Sequence, residues 1–158
     1  FVVFGQLFEY LPVYRRRCSG CGKTFSLLPA FIRPYAHFGI CVREAAARML
    51  AKGSTVSELA ARLCQSKSTG GISTRTLRHW LQGWRQRTQA LTVSVIERIL
   101  QLAPGFDATP YLPRSVNARG WLRSVIELGR ILRDLVYETR PIPLFMFLNS
   151  CYPADMSL

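Results

Sequence analysis

The chain has 158 residues, of which 49% are hydrophobic, so it can bury a real core as one or two small domains and is too apolar for a disordered tail. Its 21 Lys plus Arg against 9 Asp plus Glu leave a formal net charge of +12 at pH 7, which favours polyanionic partners, nucleic acid before acidic lipid; the strong excess of Arg over Lys leaves codon bias and an inert basic surface as the bland alternative. The longest apolar run near the end, Ile142 to Leu148, is far short of the roughly 20 residues of a membrane helix, and FVVFGQLF lacks the preceding basic segment of a signal peptide. The expectation is a soluble, cytoplasmic protein with no membrane partner.

Residues 1 to about 28 read as strands, dense in Phe, Val, Tyr and Leu and punctuated by Gly5 and Gly22. The following LLPAFIRPYAHFG reads as an ordered connector, because a flexible linker would be polar or Gly/Ser-rich. From Ile40 the period becomes helical. Cys41, Ala45, Met49 and Leu50 share one face, and Arg43, Glu44, Arg48 and Lys52 lie mostly off it. Gly53 stops this helix. Ser54 or Thr55 caps the next, in which Val56, Leu59, Ala60 and Leu63 make an amphipathic stripe.

SKSTGGIST reads as a loop, and Ser73 or Thr74 caps a third helix with Leu77, Trp80, Leu81 and Trp84 inward. A fourth helix is expected over about Val93 to Ala103, ending at Pro104-Gly105. APGFDATPYLPR is the next break, and a long helix follows from about Val116 to Glu138. Its apolar side is Trp121, Leu122, Val125, Ile126, Leu132, Leu135 and Val136, with Arg119, Arg123, Arg130 and Arg133 beside it. The tail after Arg140-Pro141 is ambiguous between strand and short helix. The fold class is therefore α+β, mainly α. A short N-terminal β-hairpin, half of a zinc ribbon, is followed by a helix-turn-helix-like bundle. The divisions are 1–39, 40–105 and 106–158.

Two motifs carry chemistry. Cys18-Ser19-Gly20-Cys21-Gly22 has the form of one zinc knuckle: the two-residue spacer lets both sulfurs face one point, and the glycine lets the chain fold back. Zinc takes four ligands, and no second pair exists. Cys41, Cys64 and Cys151 are single, and His37 and His79 lack a partner at ligand spacing. Zn at Cys18 and Cys21 is thus an incomplete site. A redox pair and an ordinary turn remain alternatives. Five unevenly spaced cysteines argue against a disulfide framework.

The second motif is TVSELAARLCQSKSTGGISTRTLRHWLQGWRQR, which reads like helix-turn-helix with a long turn. With the Leu and Trp stripe inward, Arg75, Thr76, Arg78, His79, Gln82 and Arg85 face outward. Arg suits guanine, Gln suits adenine, and the others reach phosphates. Ser73 and Thr74 at the helix start favour a phosphate, and Lys67 in the turn can touch the backbone. A plain bundle with a solvated basic face is the alternative. The carboxylates are scattered along helix faces beside arginines, without the acidic cluster that two-metal chemistry needs. No enzymatic role is expected.

VYRRRCSGCGKTFSLLPAFIRPYAHF, residues 13 to 38, resembles an uncharacterised bacterial family carried by insertion elements. The match lies in Cys18, Cys21, Gly22, Thr24 to Pro29 and Pro34-Tyr35, and it fades over the helices. The resemblance implies a zinc ribbon of two Cys-x2-Cys knuckles, a helix-turn-helix-like region and transposase-related DNA binding. This chain starts at Phe1 with only the second knuckle, as a truncated frame would. The expected function is a non-catalytic accessory of a mobile element that binds double-stranded DNA. A module docking on a transposase, an RNA-binding ribbon and a non-functional fragment are the alternatives.

Overall fold

The computed structural model describes residues 2–3, 6–7, 13–27, 38–65, 72–115, 117–137, 142–152, 156 and 158. Two antiparallel hairpins come first. β1 (Val2–Val3) pairs with β2 (Gln6–Leu7), and β3 (Tyr14–Arg17) pairs with β4 (Thr24–Leu27), with Tyr14 opposite Leu27 and Arg17 opposite Thr24. Five helices follow: α1 (Ile40–Ala51), α2 (Val56–Gln65), α3 (Thr74–Leu102), α4 (Ala118–Val136) and α5 (Leu144–Cys151). The fold is α+β and mainly α.

The expected stops and caps form by the expected chemistry. Gly53, at φ 103°, ends α1. Its N–H donates to Leu50 O and the Ser54 N–H to Met49 O, the paired bonds that close a helix over a left-handed residue. Thr55, not Ser54, caps α2. Its hydroxyl accepts from the Glu58 N–H at 3.1 Å, and its own N–H donates to the Glu58 carboxylate at 2.9 Å, a reciprocal pair that satisfies two orphan donors. Ser73 caps α3 by accepting from the Thr76 N–H, and Asn117 caps α4 by accepting from the N–H groups of Arg119 and Gly120.

The expected third and fourth helices are one helix of 29 residues. Leu77, Trp84, Thr88, Leu91, Thr92, Val95 and Ile99 are all buried along it, so one inward stripe runs unbroken through the stretch expected as a junction. No proline interrupts it. The connector after it holds a short 3-10 turn at Thr109–Tyr111, and α4 then packs back along α3. On α4 the buried residues include Leu122, Val125, Ile126, Leu128 and Leu132, but Leu135 and Val136 of the expected apolar side are exposed. The ambiguous tail resolves as helix α5, whose Leu144, Phe145, Phe147 and Leu148 are buried. It lies close over α4: a Cβ added at Gly129 would sit 3.1 Å from a Leu148 methyl and 3.2 Å from a Leu144 methyl.

The inward face of α1 differs from the expected one. Ile40, Val42, Glu44, Ala46, Ala47 and Leu50 are buried, whereas Ala45 is exposed and Cys41 and Met49 are half-buried. Glu44 is the notable case, at 6% exposure. One carboxylate oxygen accepts from the Phe145 N–H at 2.9 Å, and the other pairs with Arg48 one turn along. α5 has no side-chain cap of its own, so Glu44 supplies an acceptor at its first turn, where negative charge is favoured. A line of aromatic rings runs through the same region. Phe38, Trp80, Trp84 and Phe145 follow one another at centroid distances of 5.6, 6.1 and 6.2 Å.

Removing the Glu44 carboxylate strands a buried N–H and uncouples Arg48. Glu44→Ala should therefore lower unfolding free energy by about 2–4 kcal/mol, while Glu44→Gln, which keeps an acceptor for Phe145, should lose less. Urea denaturation of the two variants measures the difference. Thr88 gives the opposite case. Its hydroxyl is buried with no hydrogen-bond partner among the described residues, so the near-isosteric Thr88→Val should leave stability unchanged or raise it by up to about 1 kcal/mol.

Candidate nucleic-acid interface

The N-terminal half of α3 carries the expected DNA-binding residues. Leu77 and Trp84 are fully buried and Trp80 is half-buried. That orients the helix and turns Arg75, Arg78, His79, Gln82 and Arg85 outward, all exposed. The spacing explains the split, since positions 75, 78, 82 and 85 recur every three or four residues on one face. Ser73 is exposed, and Thr74 and Thr76 are half-buried. The Ser73 hydroxyl accepts the Thr76 N–H and lies 2.9 Å from the Thr76 hydroxyl, so these two side chains are engaged in the cap. Lys67 lies outside the described residues, as does the rest of the turn from 66 to 71. α2 packs on α3 and also on α1, with Leu59 and Ala60 buried. The structure thus brings Arg75, Arg78, His79, Gln82 and Arg85 of the expected outward set onto one face of a helix held from behind by α2 and α4, whereas Thr76 is half-buried in the cap.

Cys18 and Cys21 form a tight turn between β3 and β4. The Cys18 N–H donates to Lys23 O at 2.8 Å, the Gly22 N–H donates to Cys18 O at 2.9 Å, and Gly22 takes φ 68°, a conformation open to glycine at little cost. Arg17 Nε donates to Gly22 O and braces the turn. The Cys21 N–H, the Gly20 N–H and the Cys21 thiol all point at the Cys18 sulfur and hold its pKa below the usual thiol value. Backbone donors aimed at a sulfur stabilise thiolate, the form that binds metal. Two thiols are half of the donor set zinc takes. Among the described residues no group of three or more His, Cys, Asp or Glu gathers. Cys41 packs half-buried against the core, and the side chain of Cys64 lies outside the described set.

The hairpin that carries the turn is open to solvent. From Val13 to Ser26 every residue but Cys18 is exposed, including Tyr14 at 70% and Phe25 at 51%. Sequence reasoning missed this exposure, because a strand that mixes aromatic and basic residues looks the same whether exposed or half-buried.

The described carboxylates mostly have local duties. Glu58 accepts from the Thr55 backbone and hydroxyl, and Asp107 from the Thr109 hydroxyl and backbone, which holds each carboxyl below its ordinary pKa. Glu127 pairs with Arg123, and Asp134 with Arg133. A second basic region runs between α1 and α4, along the arginine stripe that the sequence alone presents as a solvated face or a phosphate track. One pocket in it, of about 240 Å³, is lined by Arg114, Arg119 and Arg123 among others. Among the described residues no helix is long and apolar enough to cross a membrane.

Residues 5–80 match the profile of a domain of unknown function (DUF6431). The match spans β2, the β3–β4 hairpin, α1, α2 and the first turns of α3. It therefore includes both the Cys18–Cys21 turn and the start of the exposed basic face. No curated protein and no solved structure matches the chain.

The turn geometry predicts a reactivity. Alkylation of Cys18 should begin at lower pH in the folded chain than in the chain unfolded by urea, because unfolding removes the three donors. Peptide mass spectrometry after brief iodoacetamide treatment across a pH series reads the shift.

Proposed function

We propose that the chain is a DNA-binding accessory protein of a bacterial mobile element, non-catalytic and transposase-related. It would use α2 and α3 as a helix-turn-helix, with the start of α3 in the major groove. The observation that carries this reading is the exposed set Arg75, Arg78, His79, Gln82 and Arg85, one face of a helix whose other face is locked by buried Leu77 and Trp84. A reading helix must be rigid behind and polar in front, and these side chains are of the types that bond base edges. The net charge of +12 supports a phosphate-driven affinity. The local duties of the described carboxylates support a non-catalytic role.

Binding to duplex DNA should weaken steeply with salt, because each neutralised phosphate releases condensed counterion. Fluorescence anisotropy with a labelled duplex measures this. No binding at low salt, or an affinity indifferent to salt, would sink the reading. Arg75→Ala with Arg78→Ala should relax sequence preference, with about 1–3 kcal/mol of discrimination lost for each base contact removed.

A second reading, docking on a transposase, is favoured by the open hairpin with Tyr14 and Phe25 exposed. Exposed aromatics flanked by arginines suit a protein interface. Co-precipitation with a transposase encoded by the same element, after nuclease treatment, separates contact through protein from contact through DNA. Tyr14→Ala with Phe25→Ala should abolish it without changing duplex binding.

A further inference from the structure

Three neighbouring clefts run end to end between α1 and α4. The first is bounded by the end of α1, the 110–117 connector and the start of α4. The second shares Ala51, Arg123 and Glu127 with it. The third shares Arg48 and Arg130 with the second and reaches Arg133 and Ile142. Together they form one groove along most of α4, to which α3 contributes no residue. Seven cations line it, from Lys52 and Arg48 on α1 to Arg114, Arg119, Arg123, Arg130 and Arg133, against two carboxylates, Glu44 and Glu127.

The two carboxylates do not neutralise the groove. Glu44 is committed to Arg48 and the Phe145 N–H, and Glu127 to Arg123. Lys52, Arg114 and Arg130 are exposed and have no carboxylate within ion-pair distance among the described residues. A solvated helix face would spread such charges over convex surface, often with i,i+4 partners. Here two helices and a connector bring them to one concave line.

We propose that this groove is a second nucleic-acid contact that grips the sugar-phosphate backbone of a DNA duplex without reading its sequence. From Arg119 to Arg133 the helix rises about 21 Å, which parallels roughly six phosphates of one strand. Arginine and lysine on such a line make the contacts that position a duplex and carry no base information. An acidic bilayer is the other polyanion. A flat membrane binds charged helices that also offer an apolar face for insertion, and the unpaired cations here sit in a cleft instead. The proposal rests on the reading of the chain as a duplex binder, but on different residues from those of α3.

The test uses the full chain and the triple variant Lys52→Gln, Arg114→Gln and Arg130→Gln. All three side chains are exposed and have no carboxylate within ion-pair distance among the described residues, so the fold should persist, and circular dichroism checks that it does. On a mixed-sequence duplex the variant should bind roughly tenfold weaker or more at low salt. Its plot of log affinity against log salt should be shallower by about 2.7, three contacts at about 0.9 each. Preference among duplex sequences should stay as in the wild type. The Arg75→Ala, Arg78→Ala variant should show the reverse pattern. An unchanged slope in the triple variant, with wild-type binding intact, overturns the groove and leaves the α3 reading standing. A reduced slope in the triple variant, with no loss of preference in the α3 variant, overturns the α3 reading and keeps the groove. Absence of wild-type binding to duplex at low salt overturns both, as would groove-dependent binding to phosphatidylserine vesicles alone.

Discussion

Phe145 is the point on which the helical body depends. Its N–H is held by the buried Glu44 carboxylate of α1, and its ring meets Trp84 of α3 edge-on at a centroid distance of 6.2 Å. One residue near the C-terminus is thereby tied to two helices far from it in sequence. α5 is eight residues long, too short to persist alone in water, so its helicity is a property of this docking. The consequence reaches the candidate interface. Trp84 stacks toward Trp80, and Arg43 of α1 lies over the Trp80 ring at 5.5 Å. The inner side of α3 is thus fixed by aromatic contacts from α1, the connector and α5, and its outward arginines inherit their orientation from that packing.

Much of this was legible in local sequence because the signals are local. Gly53 after an apolar period, Thr55 with Glu58, and Ser73 before the Leu77 stripe each place the helix end and its partner within a few residues. The structure places caps or stops at all three sites. The outward set on α3 followed from one choice, which side Leu77 and Trp84 face, and burial of both fixes the rest by helical period. The misjudged features are non-local. Glu44 reads as a surface residue because its neighbours are charged, and its acceptor role comes from a backbone group 101 residues away. α5 lacks a Ser, Thr, Asp or Asn at its start, with Pro143 there instead, so no local signal could separate helix from strand. The length of α3 was misjudged for a related reason. Thr88 and Thr92 interrupt the apolar stripe chemically but not sterically. Thr92 resolves its own polarity by donating to Thr88 O at 2.6 Å, which lets it face the core within one continuous helix, while the Thr88 hydroxyl is buried with no partner among the described residues.

The N-terminal hairpin obeys a different economy. A two-stranded ribbon is marginal in water, and this one is exposed on nearly its whole surface. What shapes it is the turn: Gly22 in the left-handed region, the Arg17 brace and the backbone donors around Cys18. Those features hold the two cysteines in one turn. Cys18 and Cys21 thus share one braced turn on the exposed hairpin.

Charge separates the functions proposed for the helical body. On α3 the cations sit on a convex face that a major groove could receive, and between α1 and α4 they line a concave track that a phosphate ridge could enter. The distinction matters energetically. Phosphate contacts scale with salt and are indifferent to sequence, whereas base contacts are geometric and depend on a helix that cannot rock. A rigid α3 backed by Trp84, Leu91 and Val95 meets the second requirement, and unpaired Lys52, Arg114 and Arg130 meet the first. α4 links the two, since it packs along α3 on one side and forms the wall of the groove on the other. A duplex held in the groove would therefore be held relative to α3 by a single helix with a buried stripe from Leu122 to Leu132, so the orientation of any base-reading contact would depend on the packing of α4 more than on the length of the turn before α3.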